Sequence, residues 1–234
     1  MVEPLTQVEQ PAFETVRVDD AGSVRIVTIN RPLRRNAIST QVLDEITAVV
    51  RGVQNDDRVA GLVLTGGLDW FSAGADLEKS QAVADGHARL QYLRRRHVFC
   101  NFLEQLGKPV VAAIEGFCIT AGLEIALACD LRIAGQGARF AVTSSRIGTV
   151  AGAGGTQRLP RIVGLAPALD MLFTGEPMEA DEARRIGLVH HVVERGAALS
   201  VAVRAVEQAG RQPPGHIAGI KRMLYSGKAM EKWS

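Results

Sequence analysis

The chain has 234 residues, of which 47% are hydrophobic, and 27 basic against 25 acidic side chains leave a net charge of +2. That is enough apolar material for a sizeable core in one large or two small domains, and the absence of a long basic stripe argues against nucleic acid as the main partner. No apolar run approaches about 18 residues, so no membrane span is expected.

The start, Met1-Val2-Glu3-Pro4-Leu5-Thr6, has no basic stretch followed by an apolar one, so no signal peptide is expected and the chain reads as cytoplasmic. After a loose segment over residues 1–11, Phe13–Val18 and Ser23–Ile29 have β-like composition, joined by the turn-type cluster Asp19-Asp20-Ala21-Gly22. Residues 31–36 form a polar loop. Ser39 or Thr40 then caps a helix whose apolar face is Val42, Leu43, Ile46, Val49 and Val50. Val59–Thr65 is a strand ended by Gly66-Gly67, and residues 72–82 form a glycine turn with a charged exit. A helix is expected from Gly86 to Leu106, with Leu90, Leu93, Val98 and Leu103 inward and the run Arg94-Arg95-Arg96 as a solvated face, the alternative being a phosphate site.

Val110–Ile114 is a buried strand, followed by a short apolar helix over Leu123–Cys129 and short strands at Asp130–Ala134 and Ala138–Val142. From Thr156 the pattern turns helical: Thr156–Val163, Ala166–Phe173, Ala180–Ile186, Ala197–Ala209 and Ile217–Tyr225. Strands first and helices later predict an α/β core with a helical C-terminal part. Cys100, Cys118 and Cys129 are odd in number and lie in apolar surroundings, which reads as reduced core thiols. No metal site is expected, since His190-His191 lack the spacing of a helical ligand pair. Gly152-Ala153-Gly154-Gly155-Thr156-Gln157 lacks the third glycine and the βαβ context of a dinucleotide fingerprint, so no nicotinamide cofactor is expected.

Two segments carry the chemistry: Phe71-Ser72-Ala73-Gly74-Ala75-Asp76-Leu77, and Ile114 through Glu124. Each places small residues where a strand gives way to a tight turn, so the backbone can approach a ligand closely. Two such turns can aim two peptide N–H groups at one oxygen and form an oxyanion hole. Glu124 follows Ala121 by three residues, in the apolar run Leu123 to Ala128, where a carboxylate is costly without a partner or a purpose.

These segments, with Thr28-Ile29-Asn30-Arg31-Pro32, Asn36-Ala37-Ile38, Val63-Leu64-Thr65-Gly66, Gly152 through Leu159 and Ala183 to Val193, resemble the motifs of the crotonase (enoyl-CoA hydratase/isomerase) superfamily, in order, over residues 12 to 225. The resemblance implies a spiral of ββα turns over residues 12–195. A helical C-terminal trimerisation region over 196–234, shorter than the family commonly shows, would follow. It also implies a homotrimer or a dimer of trimers, an acyl-CoA or enoyl-CoA thioester as substrate in lipid metabolism, and no cofactor beyond the CoA that the substrate carries. By position, the amides of Ala75 and Ala121 would stabilise the thioester enolate. Arg34, Ala37, Ala73, Asp76 and Leu77 would bind the CoA moiety, and Glu124 would be the catalytic acid/base. The family's second acid falls on Ser144, eight residues before Gly152, whose hydroxyl orients water but is a poor proton carrier near neutral pH. Glu115 replaces the family's usual Asn and reads as a loop or ion-pair position or as a substitute acid. The expected function is an enoyl-CoA hydratase or isomerase; the alternative is an acyl-CoA-binding protein with weak or no hydratase activity.

Overall fold

The computed structural model describes residues 6–7, 13–76, 86–213 and 215–225. The chain opens with strands β1 (Thr6–Gln7), β2 (Val16–Ala21) and β3 (Val24–Ile29), the latter two forming a hairpin across Gly22 and Ser23. Strand β2 therefore lies further along than the expected Phe13–Val18, and Asp19 and Asp20 are strand residues rather than turn residues. Each has an arginine: Arg17 Nε donates to Asp19 at 2.8 Å, and Arg25, the cross-strand neighbour of Asp20, pairs with it. Opposite charges facing across a ladder stabilise the strand that isolated acids would break.

Helix α1 (Thr40–Asn55) begins where expected, with Ser39 Oγ accepting from Val42 N–H at 3.3 Å. Its inward face is Val42, Leu43, Ile46, Val49, Val50 and Val53, all buried, each contributing about 1.5–3 kcal/mol.

A two-strand-and-helix unit then recurs. The first is β4 (Gly61–Thr65), β5 (Trp70–Ser72) and α2 (Gly86–Gln105). The second is β6 (Val110–Ile114), β7 (Phe117–Ile119) and α3 (Ala121–Leu127). The third, β8 (Leu131–Gly135) and β9 (Arg139–Ala141), runs into a 3-10 turn at Thr143–Ile147 and then α4 (Gly155–Val163). The chain continues through α5 (Leu165–Thr174), β10 (Met178–Glu179), α6 (Ala180–Arg185), β11 (His191–Val193), α7 (Ala198–Gly210) and α8 (His216–Tyr225).

Among the described residues, the longer strands form a seven-stranded sheet in the order β1-β2-β3-β4-β6-β8-β11, parallel from β3 onward. The shorter ones form a second sheet, β10-β9-β7-β5. At two or three residues, β5, β7, β10 and β11 are too short to show an alternating pattern, which is why the sequence reading missed them. The step from the first sheet to the second takes only Glu115 and Gly116. Gly116 has φ +58°, and a β-carbon there would fall 2.0 Å from the Asp69 carbonyl oxygen, so only glycine makes this corner.

Both faces of the seven-stranded sheet are covered. Ala198, Ala202, Val203 and Val206 of α7 pack on Ile26, Val63, Val111 and Ile133, while α1, α2, α3 and α4 cover the other face. This accounts for strands such as Val110–Ile114 being apolar throughout. Cys100, Cys118 and Cys129 are buried and unpaired, and burial pushes the Cys100 thiol up to about 12.

Glu115 is a packing anchor. Its Oε1 accepts from the amides of Gly196 at 2.8 Å and Ala198 at 3.1 Å, at the start of α7, so its partners are the helix N-terminus rather than a cation or a substrate. The Glu115→Ala variant leaves the part-buried Gly196 amide and the buried Ala198 amide without this acceptor and is expected to lose about 1–3 kcal/mol of unfolding free energy in urea titration. Acyl-CoA binding by the folded fraction should be unchanged; unchanged stability would show that α7 does not depend on this carboxylate.

Candidate active site

The ends of β5 and β7 come together. After Ser72 the chain turns through Ala73 and Gly74, which has φ +106°. Ile38 bridges to Ala75 in parallel, with Ile38 N–H donating to Gly74 C=O at 2.8 Å and Asp76 N–H to Ile38 C=O at 2.9 Å. Because backbone groups alternate sides in an extended segment, the Ala75 amide points away from Ile38. After Ile119 the chain turns at Thr120 and enters α3, so the Ala121 amide is one of the four N–H groups that a helix start leaves without an intrahelical partner. The turns touch: a β-carbon on Gly74 would lie 3.3 Å from the Ile119 carbonyl oxygen and 3.9 Å from Ala121 N.

The strain of the second turn falls on Thr120 rather than on Ala121. Thr120 has φ +39° and ψ −99°, a region that favours glycine, while Ala121 is helical. Thr120 is held there by three hydrogen bonds. Its amide donates to Ala141 C=O at 2.8 Å, and its Oγ1 accepts from Thr143 N–H at 3.0 Å and bonds Thr143 Oγ1 at 2.9 Å.

Glu124 lies one helical turn beyond Ala121, on the same side of α3, and is 1% exposed. Its Oε1 accepts from the amides of Ala153 at 2.7 Å and Gly155 at 3.1 Å, while its Oε2 is buried without a hydrogen-bond partner among the described residues. Burial raises its pKa above the ordinary carboxylate value, opposed by Arg96, the two amides and Arg158. The Gly152–Leu159 segment, which superficially suggested a nucleotide loop, thus presents amides to a carboxylate. It is tied to α2 by Arg158, whose guanidinium donates to Glu104 at 3.0 and 3.1 Å and to Asn101 at 2.7 Å.

The arginine run divides. Arg94 and Arg95 stay at the surface, lining with Arg51 a cleft of about 600 Å³ between α1 and α2. Arg96 is buried, and its Nη1 lies 3.6 Å from Glu124 Oε2. The inward face expected for this helix holds only in part: Leu103 is buried and Leu93 half-buried, but Leu90 and Val98 are exposed, and the inward face is Arg96, Phe99, Cys100 and Leu103. That i, i+3, i+4, i+7 spacing was present in the sequence and would have marked Arg96 as an inward residue.

Ser144 is buried in the 3-10 turn that follows β9. Arg34 ends a 3-10 turn at Pro32–Arg34 and is exposed. Ala37 and Asp76 are joined by Arg31, which donates to Ala37 C=O and pairs with Asp76 at 2.8 Å, and Ala73 N–H donates to Arg35 C=O at 2.9 Å. Arg34, Ala37, Ala73 and Asp76 therefore flank the first turn; Leu77 lies outside the described residues. Asn36, given no role from the sequence, accepts from Arg31 N–H at 2.9 Å and donates to Trp70 C=O at 2.8 Å, fixing the loop beside β5. Among the described residues, no group of three or more His, Cys, Asp and Glu could hold a metal ion, and no helix is long and apolar enough to cross a membrane.

A spiral of ββα units with two abutting turns and a buried carboxylate on the helix after the second defines the crotonase class of fold. The family model for enoyl-CoA hydratase/isomerase matches residues 19–232, and the chain belongs to that family. It is 42% identical over 191 residues to a short-chain-enoyl-CoA hydratase of Clostridium acetobutylicum, covering 81% of this chain and 73% of that one. It is 37% identical over 216 residues to an (E)-benzylidenesuccinyl-CoA hydratase of Thauera aromatica, covering 92% and 84%. The crystal structure of an enoyl-CoA hydratase from Bacillus anthracis superposes with a TM-score of 0.87 at 31% identity, covering 94% of this chain and 88% of that one.

Proposed function

We propose that this chain hydrates a 2-enoyl-CoA thioester, with the amides of Ala75 and Ala121 holding the thioester oxygen and Glu124 carrying the proton. The observation that carries this reading is the convergence of Gly74 on Ala121, one helical turn from a buried carboxylate with an unpartnered oxygen. Water adds its oxygen to C3 and gives its proton to Glu124 as negative charge develops on the thioester oxygen. The two amides stabilise the resulting enolate. Glu124 then returns a proton to C2, which restores the carbonyl and the carboxylate. CoA enters as part of the substrate, held along the first turn by Arg34, Ala37, Ala73, Asp76 and Leu77.

Ser144 supports a second reading. With a hydroxyl where the family's second acid stands, water is oriented but not activated from that side, which favours an acyl-CoA binder with weak turnover, or an isomerase that shuttles one proton through Glu124. Loss of the conjugated-thioester absorbance of crotonyl-CoA and of a longer 2-enoyl-CoA tests hydration directly. Binding without absorbance loss favours the second reading, and a 3-enoyl-CoA then separates isomerase from binder.

The assembly we propose is a homotrimer or a dimer of trimers in the cytoplasm. The exposed stripe Leu165, Leu169 and Phe173 on one side of α5 supports self-association. Sedimentation equilibrium should return three or six times the chain mass; a monomer would overturn this.

A further inference from the structure

We propose that Arg96 is a positioning residue for Glu124: it holds the lone acid as a carboxylate with Oε2 free to take a proton. This rests on the proposed role of Glu124 and deepens it.

Arg96 sits on the inward face of α2 with its side chain 8% exposed, and its Nε has no hydrogen-bond partner among the described residues. A guanidinium so placed is costly unless a charge faces it. That charge is Glu124, with Nη1 and Oε2 at 3.6 Å. The separation is within Coulombic reach but longer than a hydrogen bond, so the pair couples in charge without occupying the Oε2 lone pairs. The other carboxylate oxygen is already fixed by Ala153 and Gly155. One oxygen is thus anchored, and the other faces the guanidinium with no hydrogen-bond partner among the described residues.

Arg96 is itself held by the first turn. The Tyr92 ring lies 5.0 Å from its Cζ, and Tyr92 Oη donates at 2.6 Å to Ile38 C=O, the carbonyl that also accepts the Asp76 amide beside Ala75. The bridging residue Ile38 therefore sets the Ala75 amide and, through Tyr92, the cation beside Glu124. Arginine cannot release its proton, so Arg96 does not replace the missing acid at Ser144 as a proton carrier. Its effect is on the charge state of the acid that remains.

The other groups facing Glu124 do not supply this. Arg158, from α4, is engaged bidentately by Glu104, the Cys100 thiol on α2 is neutral, and the Ala153 and Gly155 amides are dipoles. Burial raises the Glu124 pKa and Arg96 lowers it, so removing the cation raises it further. Glu124 must be ionised to take a proton from water, so the acid limb of the rate profile moves to higher pH.

The experiment is the pH profile of kcat/KM for crotonyl-CoA hydration by wild type, Arg96→Met, Arg96→Gln, Arg96→Lys and Glu124→Gln. Arg96→Gln is nearer in shape and polarity than Met, so a folding failure of one neutral variant leaves the other. The neutral variants are expected to shift the acid limb upward by about one unit or more, which is about tenfold in rate on that limb, and to recover at high pH. Arg96→Lys should restore the wild-type limb. A loss equal at every pH, or an unmoved limb, overturns the inference and leaves a structural arginine. Hydration that survives Glu124→Gln overturns the reading of Glu124 itself, and the inference with it.

Discussion

Glu124→Gln is expected to lower the hydration rate by about 10²–10⁴-fold while acyl-CoA binding stays within a few-fold of wild type. The amide oxygen of glutamine can still accept from Ala153 and Gly155, so the anchoring of this side chain survives and only its capacity to carry a proton is removed. Stopped absorbance loss with crotonyl-CoA, alongside calorimetric titration of a saturated acyl-CoA, separates the two quantities. Equal rates in variant and wild type would move the chemistry elsewhere. Tight binding with no hydration in either would leave the isomerase and binder readings that Ser144 supports, which a 3-enoyl-CoA then separates.

Gly74→Ala is expected to lower kcat by about 10²–10³-fold, the loss that follows removal of one oxyanion donor. The new methyl would sit 3.3 Å from the Ile119 carbonyl oxygen and 3.9 Å from Ala121 N, where the proposed function has the thioester oxygen approach. Gly74 also has φ +106°, so the variant carries backbone strain of about 1–3 kcal/mol whatever it blocks. Gly67→Ala separates the two effects. Gly67 has φ +97°, comparable strain, and open space where its β-carbon would be. Both variants should lose thermal stability to a similar degree, and only Gly74→Ala should lose turnover. If both keep wild-type kcat, the two amides are not an oxyanion hole.

The two turns stood out in the sequence because small residues next to buried strands have few other uses. Glu124 stood out because a carboxylate in an apolar run is expensive. Arg96 did not: among three arginines in a row it reads as a solvated face, and only the phase of the helix, set by packing of Phe99, Cys100 and Leu103, turns it inward. Thr120 was hidden for a related reason. A threonine looks unsuited to a positive φ, and its tolerance comes from Ala141 at the end of β9 and Thr143 in the 3-10 turn that follows it. The role of Glu115 likewise depends on α7, some eighty residues away, presenting its amides.

Local composition therefore determined the α/β class, the capped first helix, the apolar strands, the two turns and the acid after the second, because each rests on interactions within a few residues. The tertiary structure alone decided which backbone amides meet, which arginine faces the acid, and how the second sheet forms from strands of two or three residues. Those outcomes depend on contacts between segments distant in sequence, whose geometry is set by packing around a shared core; the helical spacing of Arg96, Phe99, Cys100 and Leu103 marks which face of α2 turns inward but not what that face meets.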